Sequence, residues 1–174
     1  RGRESSRPGS KRTCPVAPVG QGRLGLGRVG APPIAGSIGH HGAVPIRIFL
    51  LDDHELVRRG IRDLLWSEQD MVVVGQAATA AEAFELIPQT QPDVAVLDVR
   101  LGEAGDDPNG IEVCREIRSQ HPEVACVMLT SFADDEALFA SIMAGASGYV
   151  LKQISGGELT AAIRRVAAGE SLLD

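Results

Sequence analysis

Ile46-Arg-Ile-Phe-Leu-Leu-Asp-Asp53 is a short apolar run that ends on two adjacent carboxylates. It reads as a strand that closes on chemistry, and the next segment places Val57, Ile61, Leu64 and Leu65 at helical spacing. The same alternation repeats down the chain. Met71-Val-Val-Val74 predicts a second strand, and Ala78 to Ile87 a second helix closed by Pro88 and Pro92. Asp93-Val-Ala-Val-Leu97 predicts a third strand. After a polar, Gly-rich loop, Asn109-Gly110 leads into a helix marked by Ile111, Cys114 and Ile117. Val124 to Leu129 predicts a fourth strand, and Asp134 or Asp135 caps a helix running to Ala144. Gly145-Ala-Ser-Gly148 turns into a short strand, Tyr149-Val-Leu151, and Leu159, Ala162, Ile163 and Val166 stripe a last helix. Five such units predict a doubly wound α/β domain: a five-stranded parallel sheet with five helices, its apolar strands covered on both faces.

Ligands of such sheets bind beyond the carboxyl ends of the strands. Those ends carry Asp52 and Asp53 after the first strand, Asp98 after the third, Thr130 and Ser131 after the fourth and Lys152 after the fifth. Each has an ordinary alternative: Asp52-Asp53 as a helix cap, Thr130 as a strand-end hydroxyl, Lys152 as a solvated charge. Together they are harder to dismiss, because only Arg47 and Asp93 bring charge into the strands themselves. Two carboxylates about 4 Å apart repel by about 4 kcal/mol at an effective dielectric near 20. A hard dication such as Mg²⁺, which takes oxygen ligands, offsets that repulsion, and an acidic metal pocket beside a Lys outlines a phosphoryl-transfer site.

Charge divides the 174 residues in two. Residues 1–45 hold 10 of the 20 Gly, 6 of the 10 Pro and seven basic residues against one acid, a balance of +6. Residues 46–174 carry 10 basic and 22 acidic residues, a balance of −12 hidden in the overall −6, which argues against a nucleic-acid surface on that part. The first 45 residues lack helical or strand periodicity, and we expect a disordered tail. Its two GxGxxG matches, Gly20 to Gly25 and Gly25 to Gly30, run into Ala31-Pro32-Pro33 rather than a helix and lack the setting of a dinucleotide site. His40-His41 is a loop pair without further ligands near it. No Met precedes Met71, and we expect the native start near Val44, with the upstream residues a read-through or cloning artefact. Cys14, Cys114 and Cys126 form no close pair in sequence, which predicts neither a disulfide framework nor a zinc site and a reducing, cytoplasmic setting. No run approaches the ~20 apolar residues of a membrane helix.

From Ile46 to about Leu173 the sequence resembles the receiver domains of bacterial two-component response regulators, of flavodoxin-like fold. The resemblance rests on Phe-Leu-Leu-Asp52-Asp53-His-Glu, Asp93-Val-Ala-Val-Leu-Asp98-Val-Arg, Asn109-Gly110, Leu129-Thr130-Ser131 and Gly145-Ala-Ser-Gly-Tyr149-Val-Leu-Lys152. Gly148 to Lys152 and Gly169 to Asp174 look like the NarL/FixJ-type subgroup, especially members similar to actinobacterial dormancy and hypoxia regulators. The resemblance implies that Asp98 accepts a phosphoryl group from a sensor histidine kinase. It implies that Asp52, Asp53 and Asp98, with the backbone carbonyl of Arg100, hold Mg²⁺, and that Lys152 pairs with the phosphoryl group. Thr130 and Tyr149 are the implied switch residues, and the face of the fourth helix, fifth strand and fifth helix the implied homodimer surface. Relatives of this type continue into a DNA-binding helix-turn-helix, which these 174 residues do not include; we expect no sequence-specific DNA binding from them.

The loop Leu101 to Asn109 is longer than is usual in the family and adds Glu103, Asp106 and Asp107, and Gln153 follows Lys152 where Asp or Pro is frequent. Two rival readings share these parts: a Mg²⁺-dependent phosphatase of the haloacid-dehalogenase type, and a receiver used only for protein contact. The first places its nucleophile in an Asp-x-Asp pattern after the first strand; here His54-Glu55 follows Asp53. The intact acidic set and Lys152 count against the second.

Overall fold

The computed structural model describes residues 44–102 and 109–173. The expectations for the tail, its GxGxxG matches, His40-His41 and the loop acids Glu103, Asp106 and Asp107 fall outside the described residues. Five strands, β1 (Ile46–Leu51), β2 (Met71–Ala77), β3 (Val94–Asp98), β4 (Ala125–Thr130) and β5 (Gly148–Leu151), alternate with five helices. These are α1 (Glu55–Trp66), α2 (Ala80–Thr90), α3 (Gly110–Gln120), α4 (Asp135–Met143) and α5 (Gly156–Ala167). All strand pairs are parallel, in the order β2-β1-β3-β4-β5. The order reverses between β1 and β3, which puts Asp52 and Asp98 on either side of the switch point.

Alternation along each strand builds two cores. Phe49, Leu51, Ala95, Leu97, Cys126 and Met128 face α2, α3 and α4, while Ile48, Leu50, Val94, Val96, Val127 and Leu129 face α1 and α5. Burying both sheet faces is why most of β3 and β4, and β1 from Ile48 onward, read as apolar runs.

Several boundaries depart from the sequence reading, each for a local reason. Strand β2 runs three residues beyond Val74, because Gly75 breaks the apolar pattern without breaking the strand. The β1–β2 register slips between Ile48 and Phe49, and a Cβ at position 75 would come within 2.8 Å of the Phe49 ring, so only Gly lets the ring lie there. Pro88 does not close α2; it sits inside the last turn, and the helix ends at Gln91 in a left-handed conformation (φ 45°). Arg47, the charge that interrupts β1, explains that ending. Its guanidinium donates to the carbonyls of Thr90 and Gln91, supplying donors to the helix's free C-terminal acceptors. Asp93 precedes β3 and accepts from the Arg47 backbone N–H at 2.8 Å.

Asn109 caps α3 and Ser155 caps α5, each reciprocated by the Glu three residues on, Glu112 and Glu158. Asp134, not Asp135, caps α4. Cys114 and Cys126, far apart in sequence, are neighbours in one core; both are buried and free. No helix among the described residues is long and apolar enough to cross a membrane.

Candidate functional site

The carboxyl edge of β1 and β3 is an acidic hollow closed by one ammonium. Asp52 and Asp98 are almost wholly buried, at 2% and 3% exposure. Lys152, in the turn after β5, bridges them: its Nζ donates to Asp98 Oδ2 at 2.7 Å and contacts Asp52 Oδ2 at the same distance, there without hydrogen-bond alignment. Lys152 reaches them because β5 lies two strands from β3 and its own N–H is anchored to the Thr130 carbonyl at 2.7 Å. It is not a solvated charge. The Asp52-Asp53 pair does not cap α1 with its side chains at the usual cap position either. That position is His54, whose backbone N–H donates to Asp52 Oδ1 at 2.8 Å.

The charges interact as this geometry requires. Burial pushes the Asp98 carboxyl above its ordinary pKa; the Lys152 hydrogen bond opposes the shift and the Asp52 charge adds to it. For Lys152 burial alone would favour the neutral amine, but its contacts with Asp52 and Asp98 together outweigh it and hold the ammonium's pKa above the usual value.

Asp53 is less buried and accepts from the Gly102 N–H at 3.1 Å, tying the loop after β3 to β1. One ligand atom each from Asp52, Asp53, His54 and Asp98 all lie within 4.8 Å of one another. Asp52 Oδ2 and Asp53 Oδ1 are buried and accept no aligned hydrogen bond. Carboxylate oxygens left with free lone pairs in a small acidic hollow fit a hard divalent cation such as Mg²⁺.

The other expected residues stand around this centre in different ways. Arg100 touches it through its backbone N–H, 3.3 Å from Asp98 Oδ1. Thr130, buried at the end of β4, bonds within its own loop: its hydroxyl donates to the Phe132 carbonyl at 3.2 Å and accepts from the Phe132 N–H at 3.4 Å. Tyr149 packs half-buried against the α2–α4 core, with its hydroxyl enclosed and unpartnered.

Sequence reasoning missed four contributors. His54 lies against both carboxylates, and its presence in the quoted Asp-Asp-His run was the available signal. Arg58, one turn into α1, donates to the Asp52 carbonyl. Gln153 donates to the Ser131 carbonyl at 3.1 Å, joining the loops after β5 and β4. Gly110 packs on the Asp98 backbone and donates to the Val99 carbonyl at 3.1 Å.

Residues 48–164 match the response regulator receiver domain model. The chain is 53% identical over 129 residues to the DNA-binding transcriptional activator DevR/DosR of Mycobacterium tuberculosis, covering 74% of this chain and 58% of that protein. It is 33% identical, also over 129 residues, to the response regulator protein VraR of Staphylococcus epidermidis, covering 74% and 60%. The chain thus spans about three-fifths of the length of these curated relatives. Among solved structures, it resembles a LuxR-family two-component response regulator from Aurantimonas (37% identity, TM-score 0.67, 73% of this chain and 88% of that one). It also resembles the receiver domain of the putative response regulator NarL from Mycobacterium tuberculosis (30% identity, TM-score 0.67, 74% and 100%). These likenesses favour the receiver reading over the phosphatase one. With the strand order and the acidic hollow at its switch point, they place this chain in the response regulator receiver family.

Proposed function

We propose that this receiver takes a phosphoryl group on Asp98 from a sensor histidine kinase and passes the change to a transcriptional output. The observation that carries the proposal is the single ammonium of Lys152 set 2.7 Å from each of two buried carboxylates, Asp52 and Asp98. An Asp98 oxygen attacks the phosphorus of a phosphohistidine, the P–N bond breaks, the imidazole keeps the electron pair and takes a proton, and an acyl phosphate forms. Asp52, Asp53, Asp98 and the Arg100 carbonyl are the groups to hold Mg²⁺, which when bound neutralises charge that would oppose an incoming group of about −1.5 to −2. Lys152 leaves its position between the two carboxylates to pair with a phosphoryl oxygen. Thr130 exchanges its bonds to Phe132 for one to the phosphoryl group, drawing in the β4–α4 loop, and Tyr149 moves with it.

The domain layout we propose is a tail over residues 1–45, a receiver over 46–174, and a helix-turn-helix output of the full-length protein beyond the matched region. DNA contact would belong to that output. Homodimerisation through α4, β5 and α5, a cytoplasmic location, and slow self-dephosphorylation without turnover of other substrates complete the reading. Acetyl phosphate with Mg²⁺ labels the wild-type chain, and Asp98→Asn abolishes labelling. Undiminished labelling of that variant refutes the assignment.

A further inference from the structure

An imidazole that the reading above leaves unused stands beside the two carboxylates. His54 occupies the N-cap position of α1, but its side chain makes no cap bond. The ring turns back toward the hollow instead, with Nδ1 2.8 Å from Asp53 Oδ1 and 3.3 Å from Asp52 Oδ1. In an octahedral site with bonds of about 2.1 Å, neighbouring ligand atoms stand about 3 Å apart, √2 times the bond, and the two observed separations bracket that value. Two further features point to a ligand. Asp53 Oδ1 is enclosed without an aligned hydrogen bond, and Asp52 Oδ2, on a side chain 3% exposed, has only the unaligned 2.7 Å contact with the Lys152 ammonium.

We propose that His54 Nδ1 is a nitrogen ligand that makes this pocket favour borderline divalent transition metals, such as Co²⁺ and Ni²⁺, over Mg²⁺. The inference rests on the reading above for its carboxylate ligands. Mg²⁺ prefers oxygen and gains little from an imidazole, whereas affinity for nitrogen donors rises from Mn²⁺ through Co²⁺ to Ni²⁺. A ring held only by its contact with Asp53 would leave that ranking unchanged when removed. A ring that binds the ion steepens it. The ring's 67% exposure lets it swing onto an incoming ion without disturbing the core.

The test uses the full, tag-free chain and its His54→Ala variant, in which His40, His41 and His121 remain and cancel in the comparison. Calorimetric titration at pH 7.5 should show Co²⁺ and Ni²⁺ affinity falling at least about tenfold in the variant, with Mg²⁺ affinity within about twofold of wild type. Pulsed electron paramagnetic resonance of the Mn²⁺-loaded wild type, which needs no variant, should show the ¹⁴N coupling of a bound imidazole, and His54→Ala should lose it. Equal Ni²⁺ affinities for the two proteins, or no ¹⁴N coupling in the wild type, overturn the inference. Acetyl phosphate labelling is run alongside. Normal labelling with a metal ranking indifferent to His54 defeats this inference alone, whereas a His54-dependent ranking without Asp98 labelling defeats the phosphoacceptor reading and leaves His54 a ligand.

Discussion

Gly110 and Asp98 meet backbone to backbone: a Cβ on Gly110 would stand 1.7 Å from the Asp98 carbonyl oxygen and 2.8 Å from its carbon. The contact is with main chain on both sides, so no side-chain rotation relieves it. The first turn of α3 therefore rests directly on the residue that carries the candidate chemistry. Gly110→Ala is expected to push α3 off β3, cost about 1–3 kcal/mol as an overpacked site and move Asp98 out of reach of Lys152. Urea unfolding and acetyl phosphate labelling read the two effects. A variant with wild-type midpoint and labelling would show that α3 slides without consequence.

Among the described ion pairs, Lys152 is the only Lys or Arg in contact with the buried carboxylates of Asp52 and Asp98. Lys152→Met leaves both without their counter-charge, and the expected loss is about 3–5 kcal/mol at neutral pH without added metal. Adding Asp98→Asn should restore part of it, since one charge is then gone. Chemical denaturation of the two single variants and the double variant measures the coupling; strictly additive losses would mean that the pair is not coupled.

Arg164 on α5 reaches across to the α1–β2 turn, donating to Asp70 at 2.7 and 2.8 Å and to Glu68 at 2.6 Å. The Arg164 hydrogen bond holds the Asp70 carboxyl below its ordinary pKa. A lowered carboxylate pKa stabilises the fold above the unfolded value near 4, and that contribution disappears as pH falls through the folded value. Because these side chains are partly exposed, Arg164→Ala should cost only about 1 kcal/mol at pH 7. The gap between variant and wild type should start to narrow as pH falls below about 4 and keep narrowing on further acidification. Thermal melts across pH 3–7 test this, and a gap that widens on acidification would reverse the assigned sign.

The Cys114 and Cys126 thiols lie together between α3 and β4 with no exposed surface. Contact with Cys114 and burial both push the Cys126 thiol up, away from the reactive thiolate. In a Cys14→Ser background neither should react with a disulfide reagent faster than the domain unfolds. A fast-reacting equivalent in the folded protein would place one of these thiols at the surface.

Strand identity was legible in the sequence because a sheet covered on both faces demands apolar runs, and Ile48–Leu51 and Ala125–Leu129 supply them. Where a residue's role depended on a partner far along the chain, local pattern misled. Pro88 reads as a stop because it lacks the N–H that a helix donates to the carbonyl one turn back; α2 nonetheless runs two residues past it, and Arg47, 43 and 44 residues from Thr90 and Gln91, serves the carbonyls at its end. Cys114 and Cys126 have no pairing in sequence and adjoin once α3 packs on β4.

The site divides in the same way. The sequence by itself determined which chemical groups end the strands, because a parallel sheet delivers every strand's carboxyl end to one edge, and so Asp52, Asp53, Asp98, Thr130 and Lys152 could be named from order alone. Only the tertiary structure decided how they are joined. It sets Lys152 between Asp52 and Asp98, turns Thr130 toward Phe132, and lays Gly110 against the Asp98 carbonyl. Those arrangements depend on strand order and helix approach, which bring together residues up to 100 positions apart, and no local pattern of residues encodes such a distance.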